Sequence, residues 1–204
     1  LDWYRKNAPA KLRVEYVGHP VLEEIPDLPF APEENSLAIL PGSRESEWLK
    51  LFGPMIEAAA LLGRANKELR FTIPLAAPLR GNGVVREMLS PQGPFGDSVR
   101  SLGERLRVSE RPAHETLRVS QAAWIASGTA TLEAAVVGTP MVVAYKVSGT
   151  TAFLFRHLVR YQGPVAIVNI LHGGLGTPER LVPEILQDDV DPENLASAMR
   201  ETMR

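Results

Sequence analysis

With 204 residues and 45% apolar content, the chain can form one large domain or two small ones around a real core. Its 22 basic and 24 acidic residues leave a net charge of −2, which gives no general electrostatic case for nucleic acid. Cysteine is absent, so disulfides, thiolate zinc sites and cysteine nucleophiles are excluded.

The chain opens on "LDWYRKNAPAKLRVEYVGHP", with no initiator Met and no signal peptide, and reads as mid-protein sequence, hence a fragment or processed chain. "VEYVGHP" (14–20) is expected as a strand. "EEIPDLPFAPEEN" follows as a linker, because Pro20, Pro26, Pro29 and Pro32 forbid helix and favour extended backbone. Residues 1–36 are thus assigned to the end of a preceding domain plus a linker, and 37–204 to the main domain.

From there the pattern is regular. "LAIL" (37–40) predicts a strand and 45–65 a helix that Pro54 kinks or splits. A strand is expected at 69–76, a short helix at 82–89, and a loop at 91–98. A strand at 105–110, a helix at 113–120 and a strand at 121–127 come next. Then come a helix at 131–138, a strand at 140–147, a helix at 150–161 and a strand at 164–171. A loop at 172–178 and closing helices at 179–187 and 191–203 complete the chain.

The six strands of the main domain are mostly continuous apolar runs, as expected when both faces of a parallel sheet are covered. Alternation with helices predicts an α/β fold, a doubly wound, mostly parallel Rossmann-like sheet. No run approaches the roughly 18 apolar residues of a membrane span. The four histidines (His19, His114, His157 and His172) lack metal-ligand spacing and HExxH does not occur, so no structural metal is expected.

Ligands of such sheets bind at the carboxyl ends of the strands, near the switch in strand order. Two strand-to-helix junctions are unusually small and polar. In "LAILPGSRESEW", Gly42 permits a tight turn, Ser43 offers a hydroxyl, and Arg44 a planar fork of donors beside free helix N–H groups: a place for an anion. The plainer alternative is that Ser43 or Ser46 caps the helix while Arg44 pairs with Glu45 or Glu47.

In "WIASGTATLEAAVVGTPMVVAY", Ser127, Gly128 and Thr129 leave the strand, and Thr131 and Glu133 begin the helix. A reciprocal capping box needs Ser or Thr three residues before Glu133, but that position is Ala130. Glu133 then reads either as a first-turn acid favoured by the helix dipole or as a carboxylate accepting two ribose hydroxyls.

Glycine fingerprints for dinucleotides, the P-loop and the nucleophile elbow are all missing. What remains suits a nucleoside diphosphate attached to another group.

The ordered blocks "VGHP", "LAILPGSRESE", "FTIPLA", "IASGTATLEAAVVGTPMVVAYKVS", "VNIL" and "LVPEILQDDVDPENLASAM" resemble the carboxyl half of the lipid-A-disaccharide synthase family. The resemblance runs over nearly the whole chain. It implies one half of a GT-B glycosyltransferase, the half that binds the donor. The implied reaction joins UDP-2,3-diacylglucosamine to 2,3-diacylglucosamine 1-phosphate (lipid X) and releases UDP, in lipid A and lipopolysaccharide synthesis. No metal or cofactor is implied, since positive groups and helix ends stabilise the leaving diphosphate.

By the same resemblance, Ser43 and Arg44, with Gly42, hold the diphosphate, and Ser127, Gly128, Thr129 and Thr131 line the same anion site. Glu133 takes the ribose, while Asn169 and Gln187 face the cleft. The catalytic base and the acceptor surface are implied in an amino-terminal half absent here, so this chain alone is expected to bind donor without turnover.

One departure is "HGGLGTPER" (172–180), where the resembled family runs almost directly from "NIL" through a Gly-Arg to "VVPELLQ". The helix at 150–161 is expected to pack in a core or a homodimer interface, with membrane-surface contact as the alternative. Trp3, Trp48 and Trp124 read as packing residues. A cytoplasmic location, peripheral to the inner membrane of a Gram-negative-type cell, is implied. Other UDP-sugar transferases, a UDP-N-acetylglucosamine 2-epimerase, and a non-catalytic nucleotide-sugar-binding domain remain alternatives.

Overall fold

The computed structural model describes residues 6, 7, 9, 12, 13, 15, 17–147, 163–174 and 178–204. After a short helix α1 (Val21–Glu24), the chain alternates β1 (Glu33–Leu40), α2 (Glu45–Ala65), β2 (Arg70–Pro74), α3 (Gly83–Leu89), α4 (Gly96–Leu102), β3 (Leu106–Ser109) and α5 (Ala113–Val119). It continues through β4 (Ser120–Ala126), α6 (Thr129–Val137), β5 (Met141–Tyr145), α7 (Ile167–Gly173), β6 (Glu184–Leu186) and α8 (Pro192–Thr202).

The six strands form one sheet in the order β3-β2-β1-β4-β5-β6, and every pair is parallel. This is the doubly wound fold the apolar runs predicted. Alternate residues of each central strand serve opposite faces. Leu37, Ile39, Trp124, Ala126, Val142 and Ala144 pack under α2, α3, α4 and α8. Ala38, Leu40, Ala123, Ile125, Met141 and Val143 pack under α5, α6 and α7. Burial on both sides is why these strands show no polar alternation.

Helix α2 is a single 21-residue element with Pro54 inside it, so the proline does not split it. Its buried face carries Trp48, stacked on Phe52 at 5.0 Å, and Phe52 meets the edge of Phe95 at 5.6 Å. Gly53 admits that ring, because a Cβ there would lie 2.6 Å from Phe95. Trp48 and Trp124 are core residues, 1% and 0% exposed, as expected; Trp3 lies outside the described residues.

Five expectations need correction. The stretch after Pro20 is not all extended linker: Val21–Glu24 is a helical turn with Pro20 as its N-cap, a position where the missing N–H costs nothing, and β1 already begins at Glu33. Residues 164–171 do not form a strand: Ile167–Gly173 is the helix α7, with Val168 and Asn169 turned inward. Residues 179–187 do not form a helix. Pro183 interrupts it, and Glu184–Leu186 is instead the sixth strand, paired with Val143–Tyr145 of β5. The expected loop at 91–98 gives way to α4 from Gly96 onward. Residues 17–20 of the expected first strand are not in a strand, and Val14 and Tyr16 are outside the described residues, as is the expected helix at 150–161. No helix among the described residues is long and apolar enough to cross a membrane.

Candidate functional site

The chain crosses the sheet between β3 and β4, so strand order reverses between β1 and β4. A cleft of about 770 Å³ opens at the carboxyl ends of the strands there. Its walls are the loop after β1 (Gly42, Ser43, Arg44), the segment after β2 (Leu75–Ala77, Arg80), the turn after β3 (Arg111–His114) and the start of α6 (Ser127–Ala130, Glu133).

The loop after β1 is tightly determined. Gly42 has φ +124°, and a Cβ there would sit 2.1 Å from Glu47 Oε2. Trp48 Nε1 donates to the Gly42 carbonyl at 3.0 Å, tying the loop to the core. Glu47 lies one turn into α2, and its Oε2 accepts from the backbone N–H of Ser43 (2.8 Å) and of Arg44 (3.2 Å). Its Oε1 pairs with Arg44 Nη1 at 3.0 Å. Neither Ser43 nor Ser46 is the cap residue: that position is Arg44, and the expected Arg44–Glu47 pair is present. The N–H groups and guanidinium suited to an anion therefore hold the protein's own carboxylate.

In the second wall Ser127 N donates to Ala144 O at 3.0 Å, and Ser127 Oγ to Val165 O at 3.3 Å. Thr131 is fully buried, with Oγ1 donating to Gly128 O at 2.7 Å, so its hydroxyl closes the first turn of α6. Glu133, half-buried and past the first turn of α6, lines the cleft. The small residues that follow lead to Gly138, whose left-handed backbone ends α6 and returns the chain to β5.

Gly42, Ser43, Arg44, Ser127, Gly128, Thr129 and Glu133 are thus gathered on one cleft, although the two groups are about 85 positions apart in sequence. Thr131, Asn169 and Gln187 are not on its walls. Asn169 is 0% exposed: its Nδ2 donates to Val182 O and Glu184 Oε1, and its Oδ1 accepts from Val182 N. Gln187, at φ +54°, accepts from Val147 N at 3.3 Å.

Sequence reading missed Glu47 as the occupant of the loop, and Arg80, Arg111 and His114 as lining residues. The available signal was the strand-end rule applied to every junction, for Arg111 and His114 follow β3 directly. Arg80 lies 4.0 Å from Glu110, and Arg111 3.7 Å from Glu115. The cleft therefore combines mobile-length cations with two carboxylates, Glu47 and Glu133. Such a surface can hold a ligand that is anionic at one end and rich in hydroxyls at the other.

A doubly wound parallel sheet with its polar crevice at the switch point defines a Rossmann-like α/β protein. The family model of the lipid-A-disaccharide synthetases matches residues 2–204. The chain belongs to that family. It is 36% identical to a lipid-A-disaccharide synthase of Cupriavidus pinatubonensis, over 96% of this chain and 46% of that protein. It is 39% identical to one of Azotobacter vinelandii, over 91% and 48%, and 34% identical to one of Myxococcus xanthus, over 98% and 49%. The chain spans about half the length of these curated relatives.

Proposed function

We propose that this chain is the donor-binding half of a glycosyltransferase that joins UDP-2,3-diacylglucosamine to 2,3-diacylglucosamine 1-phosphate and releases UDP. Family membership supports the reaction class. The observation that carries the donor assignment is the convergence of the Gly42–Arg44 loop and Glu133 on one cleft. In this reading the Ser43 and Arg44 N–H groups and the guanidinium take the diphosphate, and Glu133 takes the ribose hydroxyls. As UDP departs, Arg44 and the start of α2 stabilise the growing negative charge. The base and the acceptor surface are assigned to the half of the relatives' length that this chain does not span. The protein is placed on the cytoplasmic side, peripheral to the inner membrane.

The Arg44–Glu47 pair does not oppose this. The Arg44 side chain is 76% exposed, and its ion pair alone contributes only about 0–1 kcal/mol. Glu47, however, is 26% exposed and also accepts two backbone N–H groups that a ligand has to take over. A diphosphate that takes both N–H groups and the guanidinium replaces these contacts, and each further bond to the cleft cations adds about 1.5–3 kcal/mol. Glu47→Gln, whose amide oxygen can still accept both N–H groups in place of Oε2 but which removes the competing charge, should tighten UDP binding about threefold, as one screened charge in a high-dielectric rim predicts. Calorimetric titration checks this; weaker UDP binding by the Gln variant contradicts the exchange.

The direct test is titration of the chain with UDP, UMP and GDP. UDP is expected to bind about tenfold more tightly than UMP, because the second phosphate adds at least one charge-assisted contact. Equal affinities would remove the diphosphate assignment. For the reaction as a whole, a disaccharide product from the two acylated substrates is expected of the protein containing both halves, and sugar inverted at C2 as the sole product would defeat it.

A further inference from the structure

Behind the second wall of the cleft lies a buried carboxylate outside both small-residue loops. Glu184 opens β6 with a side chain only 3% exposed. Its oxygens accept from Val165 N (3.1 Å to each), Ala166 N (2.8 Å) and Asn169 Nδ2 (2.8 Å), and Arg180 Nε lies 3.5 Å away. A carboxylate taken out of water is costly unless charge and hydrogen bonds replace its hydration, and here donors from two segments do so.

Asn169 completes the clasp. Both of its amide hydrogens are committed, to Val182 O and Glu184, and its oxygen accepts from Val182 N. The residue is 0% exposed and off the cleft wall, so it has no donor left for a ligand there. Together Glu184 and Asn169 lock residues 165–169 against the strand edge. The fixed backbone meets the cleft wall through the Val165 carbonyl, which receives the Ser127 hydroxyl at 3.3 Å. Among the described residues, the other tie of Ser127 is its backbone N–H to Ala144 O. The orientation of that hydroxyl therefore depends on where Val165 is held.

We infer that Glu184 and Asn169 are positioning residues for the nucleotide cleft, acting on the ligand through Val165 and the Ser127 hydroxyl and not by contact. This rests on the proposed nucleotide reading of the cleft. It moves Asn169 from the set of ligand contacts to the shell that orients one of them. Loosening the clasp should let the 165–169 backbone shift, and a displacement of even about 1 Å is enough to spoil an oriented contact.

A double-mutant cycle tests it. The UDP dissociation constant is measured for the wild type, Glu184→Gln, Ser127→Ala and the double variant, with Arg44→Ala and Arg44→Ala/Glu184→Gln as the reference cycle on the opposite wall. Each of Glu184→Gln and Ser127→Ala should weaken binding about three- to tenfold, and the double variant should be no weaker than the poorer single one, since coupled residues are non-additive. The Arg44 cycle should be additive, because that side chain shares no partner with the clasp. Asn169→Ser should give the Glu184→Gln pattern at smaller amplitude, and serves if Glu184→Gln does not fold. Multiplying effects of Glu184→Gln and Ser127→Ala, or a lowered melting temperature with unchanged UDP affinity, would overturn the inference while leaving the nucleotide reading intact. A wild-type chain that binds no UDP would instead overturn the nucleotide reading, and the inference with it.

Discussion

Arg44→Ala is expected to weaken UDP binding by about 10- to 100-fold, since one lost charge-assisted interaction of about 1.5–3 kcal/mol corresponds to that range. The side chain sits at the lip of the cleft, on the N-cap residue of α2, where the backbone N–H groups of Ser43 and Arg44 point the same way. Its guanidinium can grip two phosphate oxygens at once, and lysine cannot reproduce that fork, so Arg44→Lys should recover only part of the loss. Uridine, with no phosphate, should bind the wild type and the variant alike. Raising the salt concentration should narrow the gap between them, because an exposed guanidinium is screened over a Debye length of about 10 Å at 0.1 M. Thermal stability should barely change, as the pair with Glu47 is exposed. Isothermal titration with UDP and uridine at two salt concentrations settles the matter. An equal loss for both ligands would mean that Arg44 shapes the loop and does not meet a phosphate.

Glu133→Ala should weaken UDP binding by a comparable factor of about 10–100, through loss of hydrogen bonds from ribose hydroxyls to a charged acceptor. The discriminating ligand is the 2′-deoxy form of UDP. Wild type should bind it less tightly than UDP, and Glu133→Ala should bind the two alike. The plainer expectation, a first-turn acid favoured by the dipole of α6 and worth about 0.3–1 kcal/mol, does not hold, because Glu133 lies past the first turn, where that effect has fallen off. A shift in melting temperature of a few degrees with the deoxy discrimination intact would leave Glu133 with a structural role and no more.

The two roles predict different ligand fingerprints, so the two variants report on separate ends of one molecule. Arg44→Ala should erase the preference for diphosphate over monophosphate, and Glu133→Ala the preference for ribose over deoxyribose. Either loss appearing in both variants would mean that the walls move together.

Four of the six strands were legible because Leu37–Leu40, Phe71–Ile73, Ala122–Ala126 and Met141–Ala144 carry the burial pattern in their own composition. The edge strand Leu106–Ser109, with Val108 47% exposed, was legible from its place in the strand-helix alternation. The two polar loops were legible for a similar reason: a glycine at φ +124° and a Ser-Gly-Thr run at a strand end are local departures from packing logic. The sixth strand was not. Residues 164–171 and the Ile185–Leu186 pair of the sixth strand are both short runs of largely branched apolar residues, and periodicity does not separate strand from helix at that length. The choice is made by Glu184, whose carboxylate takes the N–H groups of Val165 and Ala166 at the start of α7 from 18 to 19 positions away. Pro183, visible all along, was the underused signal.

What the chain's order of residues determined alone is the class of the molecule: a covered parallel sheet, its switch-point loops, and the family those loops mark. What only the folded structure decided is occupancy. Whether Arg44 faces solvent or Glu47, whether Asn169 meets a ligand or Glu184, and which late segment completes the sheet all depend on partners that sequence separation does not rank. Burial is a property of a residue and its near neighbours and so shows in composition. A hydrogen bond between side chains belongs to a pair, and the pair exists only once the sheet has brought its members together.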